Sequence, residues 1–226
     1  PSAAVANDPA GELNPVLTWE INALPTMQLA DKAAREGVKQ FIYASSGSVY
    51  GINKEEVTEE HPLVPVSVYN KTKMLAERVL LSYSDKMTVQ ILRPATVCGL
   101  CARMRFDVMV NTLSVQAVVN GVMKFNGGTQ YRPNIHIDDM TDIYIWMLER
   151  PQLTGIYNAG FENLQIKQIA YLVAQKANAR SVSMPSLDPR SYKMNSGKLL
   201  ATGFKPQKTV NDAITEMVEK IKSGQL

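Results

Sequence analysis

The feature that most constrains this chain is a strand, a polar loop and a helix in that order, with reactive side chains at set places on each. Phe41-Ile42-Tyr43-Ala44 reads as a buried strand that opens at residue 39. It runs into Ser45-Ser46-Gly47-Ser48-Val49-Tyr50-Gly51. Pro62 and Pro65 then lead into a helix over residues 66–85, where Val68, Thr72, Leu75, Ala76, Val79 and Leu80 keep a 3.6-residue period. A near-continuous apolar run suits a parallel strand covered on both faces. The polar residues at its C-terminal end then face the crevice where α/β sheets bind ligands.

Tyr69 and Lys73 stand four apart on that helix. Residues at i and i+4 share a helix face, so a phenol and an ammonium lie side by side. A phenol titrates near ~10 and is a poor base at neutral pH. A nearby cation favours the phenolate, so Lys73 is expected to pull Tyr69 down. The pair then reads as a proton-transfer device, with Ser46 supplying a hydroxyl to hold the reacting oxygen. Tyr-x-x-x-Lys alone recurs by chance in helices; the ordered context gives it weight.

The series resembles the extended short-chain dehydrogenase/reductase family, the nucleotide-sugar epimerases and dehydratases. The resemblance runs from Ala3 to about Ile221. It implies a doubly wound, Rossmann-like parallel sheet, N-terminally incomplete here, with a small C-terminal α/β substrate lobe. Residues 1–100 would hold the remaining cofactor domain and the catalytic residues Ser46, Tyr69 and Lys73. Residues 101–226 would be mostly lobe, interleaved with the sheet. It also implies NAD as cofactor, with NADP not excluded, contacted by Ala3, Ala4, Ser45, Tyr69, Lys73 and Pro94.

Substrate contacts follow from the same resemblance. Ser46 and Thr96, the latter in Arg93-Pro94-Ala95-Thr96-Val97-Cys98-Gly99, would face the sugar. Asn111 matches a family Asn at the nucleotide-sugar phosphate or base. Gln130-Tyr131-Arg132-Pro133-Asn134-Ile135-His136-Ile137-Asp138-Asp139 resembles the family's G-x-Q-x-R-x-x-I-H-V-x-D segment. Its Arg132 would hold the diphosphate, a task suited to a planar, permanently charged fork. Asp188-Pro189-Arg190-Ser191-Tyr192 resembles D-x-R-x-Y, so Arg190 would reach the nucleotide. His136 reads as a structural histidine. Asn22 matches a family Asn that supports a proton path. Cys98 is read as a pocket-wall thiol, with a proton-shuttle role as the sharper alternative.

The expected reaction is 4-epimerisation of a nucleotide-diphosphate sugar through a 4-keto intermediate. Dehydratases and decarboxylating relatives carry a Glu just before Val-Tyr-Gly; here Gly47 and Ser48 stand there, and neither is a general acid. NAD suits an epimerase because it stays bound and is regenerated each cycle. The alternatives are a 4-keto-sugar reductase using the same residues, or a truncated, non-catalytic nucleotide-sugar binding module. A homodimer through the helices at 18–38 and 66–85 is implied.

Elsewhere, residues 8–15 read as turns and 18–38 as one long helix. Strands are expected at 89–92, 122–125, 155–159 and 182–184. Helices are expected at 107–120, 138–149, 166–177, 198–203 and 210–221. Cys98 and Cys101 with two histidines cannot make a four-ligand zinc site, and two thiols fit a reducing cytoplasm. A net charge of +3 gives no reason to propose nucleic acid, and no apolar run is long enough to span a membrane. The chain opens at Pro1, where the family has just completed its fourth strand, and carries no G-x-x-G-x-x-G. A missing β-α-β-α-β unit would be roughly 60–80 residues; a fragment and a natural departure both account for this.

Overall fold

The computed structural model describes residues 4–186 and 191–225. Two N-terminal helices, α1 (Asp8–Leu13) and α2 (Pro15–Asn22), precede α3 (Leu24–Arg35). Asn7 and Asn14 cap the first two through their side-chain oxygens, and Pro9 and Pro15 sit in the first turns, where a missing N–H costs nothing. The Asn-x-Pro and Asn-Pro signals expected to be turns are therefore helix starts. The expected helix over 18–38 is two helices, because Pro25 opens a new one at its N-terminus and proline cannot continue a preceding helix.

Strand β1 (Gln40–Ala44) pairs in parallel with β3 (Thr88–Pro94), and β3 with β7 (Gly155–Ala159). Between β1 and β3 lie a 3-10 turn (Gly47–Tyr50), the two-residue strand β2 (Glu56–Val57) and α4 (Val68–Leu81). Side chains alternate across β3 as the pleat requires. Val89 and Ile91 join Ala30 of α3 and Ala76 and Leu80 of α4 on one face. Leu92 meets Met140, Ile143 and Met147 of α6 (Ile137–Leu148) on the other. This is the doubly wound arrangement expected, covered on both sides. Strand β1 is less buried than its apolar run suggested: Phe41 and Ile42 are only half-buried, since no strand pairs with its outer edge among the described residues.

The lobe is built from β4 (Thr96–Cys98), α5 (Met109–Asn120), β5 (Val122–Asn126), β6 (Tyr131–His136), β8 (Glu162–Gln165), α7 (Ile166–Ala177) and β9 (Arg180–Met184). The chain ends with β10 (Lys193–Met194), α8 (Gly197–Leu200) and α9 (Val210–Lys222). Strands β4, β6 and β8 form one sheet and β5 and β9 another. Helices α5, α7 and α9 close over an apolar core that includes Leu113, Ile169 and Ile214. Strands β4, β6 and β8 went unread, being short, polar or, in β6, carrying a proline. Among the described residues no helix is long and apolar enough to cross a membrane.

Candidate active site

The three groups singled out meet at the C-terminal end of β1. Ser46 caps the 3-10 turn, its Oγ accepting from the Ser48 N–H at 3.2 Å. Gly47 is required here: a Cβ would meet the Met194 side chain, the Pro94 carbonyl at 3.1 Å and the Tyr192 hydroxyl at 3.1 Å. The Ser46 hydroxyl is near enough to the Tyr69 phenol to favour its anion. Tyr69 opens α4 and is 9% exposed. Helix α1 fixes that opening turn: Ser67 Oγ donates to Asp8, and the Val68 N–H donates to Glu12 at 2.8 Å. Gly11 lets the two helices touch, since a Cβ there would lie 3.1 Å from Tyr69 Cβ.

Lys73 points into the site. Its Nζ donates to the Ala44 carbonyl at 2.9 Å and lies 5.0 Å from the Tyr43 ring centroid and 5.9 Å from that of Tyr69. Burial pulls its ammonium down to about 8, against a smaller upward pull from Glu77. The expected lowering of Tyr69 is not found. Burial raises it above the ordinary phenol value, with the Ser46 hydroxyl and Arg105 acting the other way. The physical reason is that the ammonium is held at the strand end instead of at the phenol oxygen.

Lys73 and Ala4 line one open cleft of about 680 Å³, with Asn22, Tyr43 and Ala44. One Lys73 proton is used on Ala44, and an ammonium has three, so the remainder suit the hydroxyls of a ribose. The cleft is otherwise mostly apolar. The fit is thus to the ribose end of a dinucleotide.

The other candidate residues have these partners. The Ser45 side chain is turned away from the cleft: its Oγ donates to Glu77, which also takes two hydrogen bonds from Arg93 at 3.0 and 2.7 Å. Asn111 is buried and fully engaged: Oδ1 accepts from the Gly99 N–H at 3.1 Å, and Nδ2 donates to the Arg105 carbonyl at 2.9 Å. It ties down the loop before α5. Asn22 clamps Val5 and reaches Thr72 Oγ1 at 3.2 Å. His136 caps α6 through Nδ1 and meets Glu216 at 3.3 Å. The Cys98 thiol is buried, donates to the Ile135 carbonyl and is pushed up to about 12, which removes it as a shuttle at neutral pH.

Arg132 lies in a second pocket of about 240 Å³ with Asp107, Lys124, Phe125 and Gln130. Arg105 links the two regions: it acts on Tyr69 electrostatically and forks onto Asp107 at 3.0 and 2.6 Å. Thr96 is half-buried on β4 opposite Asn134, and Pro94 ends β3 opposite Ala159. Ala3 and Arg190 lie outside the described residues. Asn70, Ser48, Asp8 and Arg105 were missed as site groups. Nothing in spacing marks a third-position helix amide or a loop arginine as belonging to the site of a tyrosine.

The family model described as the NAD dependent epimerase/dehydratase family matches residues 1–160. An Escherichia coli O157:H7 N-acetyl-alpha-D-glucosaminyl-diphospho-ditrans,octacis-undecaprenol 4-epimerase is 28% identical over 74% of this chain and 51% of its own length. A putative UDP-arabinose 4-epimerase 4 of Arabidopsis thaliana is 30% identical over 70% of this chain and 42% of its own. The chain therefore spans about half the length of these relatives or less. Among solved structures, MoeE5 in complex with UDP-glucose and NAD superposes with a TM-score of 0.88 at 22% identity, over 99% of this chain and 78% of that one.

Proposed function

This chain belongs to the NAD-dependent epimerase/dehydratase family, and from that premise we propose that it carries the catalytic and substrate-binding part of a nucleotide-diphosphate-sugar 4-epimerase. The observation that carries the reading is the convergence of Ser46, Tyr69 and Lys73 on the tip of β1. The named epimerases among the relatives and the UDP-glucose and NAD held by MoeE5 are consistent with it.

In this reading Tyr69 Oη exchanges a proton with the sugar C4 hydroxyl, and Ser46 Oγ holds that oxygen during the exchange. Lys73 Nζ binds ribose hydroxyls of the cofactor and keeps it beside the phenol. NAD, when bound, supplies the site that takes a hydride and returns it. Ala4 and Pro94 border that cofactor end, and Thr96 the sugar. Arg132 holds the diphosphate. Gly47 and Ser48 offer no carboxyl group, so water elimination has no acid beside the sugar from this turn. Residues 1–100 carry the catalytic groups and 101–226 most of the substrate lobe, with α6 and β7 returning to the sheet. A cytoplasmic homodimer is part of the reading, since Leu24, Met27 and Leu29 on α3 and Leu75 and Leu81 on α4 leave apolar surface exposed.

The 4-keto-sugar reductase reading has one observation in its favour. Burial keeps Tyr69 protonated, which suits donation to a carbonyl. The test is C4 inversion by the native protein across UDP-, GDP-, CDP- and dTDP-sugars, with reduced cofactor followed by absorbance. Inversion without net cofactor turnover supports the epimerase; net oxidation of NAD(P)H selects the reductase. If Tyr69→Phe leaves reduced-cofactor formation from a bound sugar nucleotide unchanged, the assignment of Tyr69 is wrong.

A further inference from the structure

Asp107 stands in the wall of the pocket that Arg132 also lines. Among the described residues the other charged groups of that wall are Arg132 and Lys124, both cations. A carboxylate placed there works against an anion unless its charge is already spent. Here it is spent. Arg105 Nε donates to Asp107 Oδ1 at 3.0 Å, and Arg105 Nη2 donates to Oδ2 at 2.6 Å. Asn7 Nδ2 adds a third hydrogen bond, to Oδ2 at 2.9 Å.

The pair is held from both ends. Asn7 is itself locked, because its Oδ1 caps α1 by accepting from the Ala10 N–H at 2.8 Å. Behind Arg105, helix α5 grips the main chain. Asn111 Nδ2 donates to the Arg105 carbonyl at 2.9 Å, and the Thr112 hydroxyl donates to the Phe106 carbonyl. An arginine gives up rotamer freedom when it binds a ligand; here much of that freedom is already lost.

A guanidinium carries five N–H groups in a planar fork. Arg105 uses Nε–H and one Nη2–H on Asp107, and its side chain makes no further hydrogen bond among the described residues. That leaves the opposite edge, with both N–H groups of Nη1 and one of Nη2. An edge of that shape matches two oxygens of a phosphate. The side chain is 45% exposed, within reach of a ligand.

We propose that Arg105 is a further anion-binding residue of this pocket, and that Asp107 is the positioning residue that aims its unused edge. The ligand group is a diphosphate, shared between Arg105 and Arg132. That the diphosphate belongs to a sugar nucleotide rests on the epimerase reading; the held arginine does not.

The test uses inorganic pyrophosphate and the native chain, without cofactor or sugar. Binding is followed by NMR through the arginine Nε–Hε signals, that of Arg105 being assigned by its loss in Arg105→Gln. Pyrophosphate should shift the Arg105 signal saturably. Arg105→Gln should weaken binding about tenfold, close to the worth of one charge-assisted hydrogen bond. Asp107→Asn separates the readings by sign. By Coulomb attraction alone, removing a negative charge beside an anion tightens binding. If Asp107 aims Arg105, the same change loosens it, by about threefold. In an Arg105→Gln background there is nothing to aim, so Asp107→Asn should then tighten binding. A residue that merely holds the loop would loosen binding in both backgrounds. Unchanged or tighter binding in Asp107→Asn alone, looser binding in both backgrounds, or no saturable pyrophosphate site in the native chain overturns the proposal. Should the Asp107 variants fail to fold, Asn7→Ala decides, since it changes no charge: looser binding supports the clamp, and unchanged binding overturns it. If pyrophosphate is held as stated and no sugar is inverted, the epimerase reading fails and this one stands. If sugars are inverted and Asp107→Asn follows Coulomb attraction, only this one fails.

Discussion

Glu77 holds two parts of the site at once, and Glu77→Ala is expected to be among the most damaging single changes away from the reacting groups. Its carboxylate takes hydrogen bonds from Arg93 Nε at 3.0 Å, from Arg93 Nη2 at 2.7 Å and from Ser45 Oγ. Both charged side chains are 2% exposed. Truncation leaves the guanidinium buried with, as its remaining close contacts among the described residues, the Tyr50 hydroxyl at 2.7 Å, the Glu59 carbonyl at 3.3 Å and the face of the Tyr50 ring. Removing one partner of a buried pair costs about 3–5 kcal/mol. For a chain of 226 residues, that is a fall in Tm of roughly 6–20 °C. Urea unfolding followed by far-UV circular dichroism should show the midpoint fall with the slope unchanged. The double variant Glu77→Leu, Arg93→Met removes the stranded charge and is expected to regain most of the loss, though Ser45 stays without its acceptor. A loss below about 1 kcal/mol for Glu77→Ala would show that the guanidinium reaches water and would refute this account.

Two further outcomes are expected. Lys73 has a folded value near 8 against an ordinary 10.5, so between those values the unfolded chain binds more protons. Stability from this group should therefore rise with pH from 8 to 10.5, by at most roughly 3 kcal/mol, and be flat below 8. The check is the difference between urea-unfolding curves of the native chain and Lys73→Met across that range, and a difference that falls with pH would refute it. Asn111→Ala should free the loop between β4 and α5 by removing its bonds to Gly99 and Arg105. The expected cost is about 1–3 kcal/mol, with faster proteolytic cleavage between residues 99 and 107; cleavage at the native rate would count against it.

What could be read from the chain alone follows from which signals are local. The strand into Ser45-Ser46 and the periodic helix carrying Tyr69 and Lys73 are patterns within a few residues, and they place three groups at one strand tip. The Asn7, Asn14 and Pro25 signals are also local, yet Asn-Pro serves a turn and a helix start alike. Only the satisfied caps tell them apart. Ser45 and Ser46 are neighbours of one type with different fates. Ser45 turns inward because Glu77, far along the chain, meets it with a buried charge. Asn111 matches a ligand-facing residue by position and is taken up by loop carbonyl and amide groups.

The same distinction bears on how the site works. Tyr69 and Lys73 share a helix face, as their spacing requires, yet their polar ends have different partners. The Lys73 head is held by the carbonyl of Ala44 at the end of β1, 2.9 Å away, and lies 5.9 Å from the Tyr69 ring centroid. A phenol inside a helix start covered by α1 is desolvated, and desolvation is the larger influence on it. Proton affinity at Tyr69 is thus set by burial more than by the neighbouring lysine.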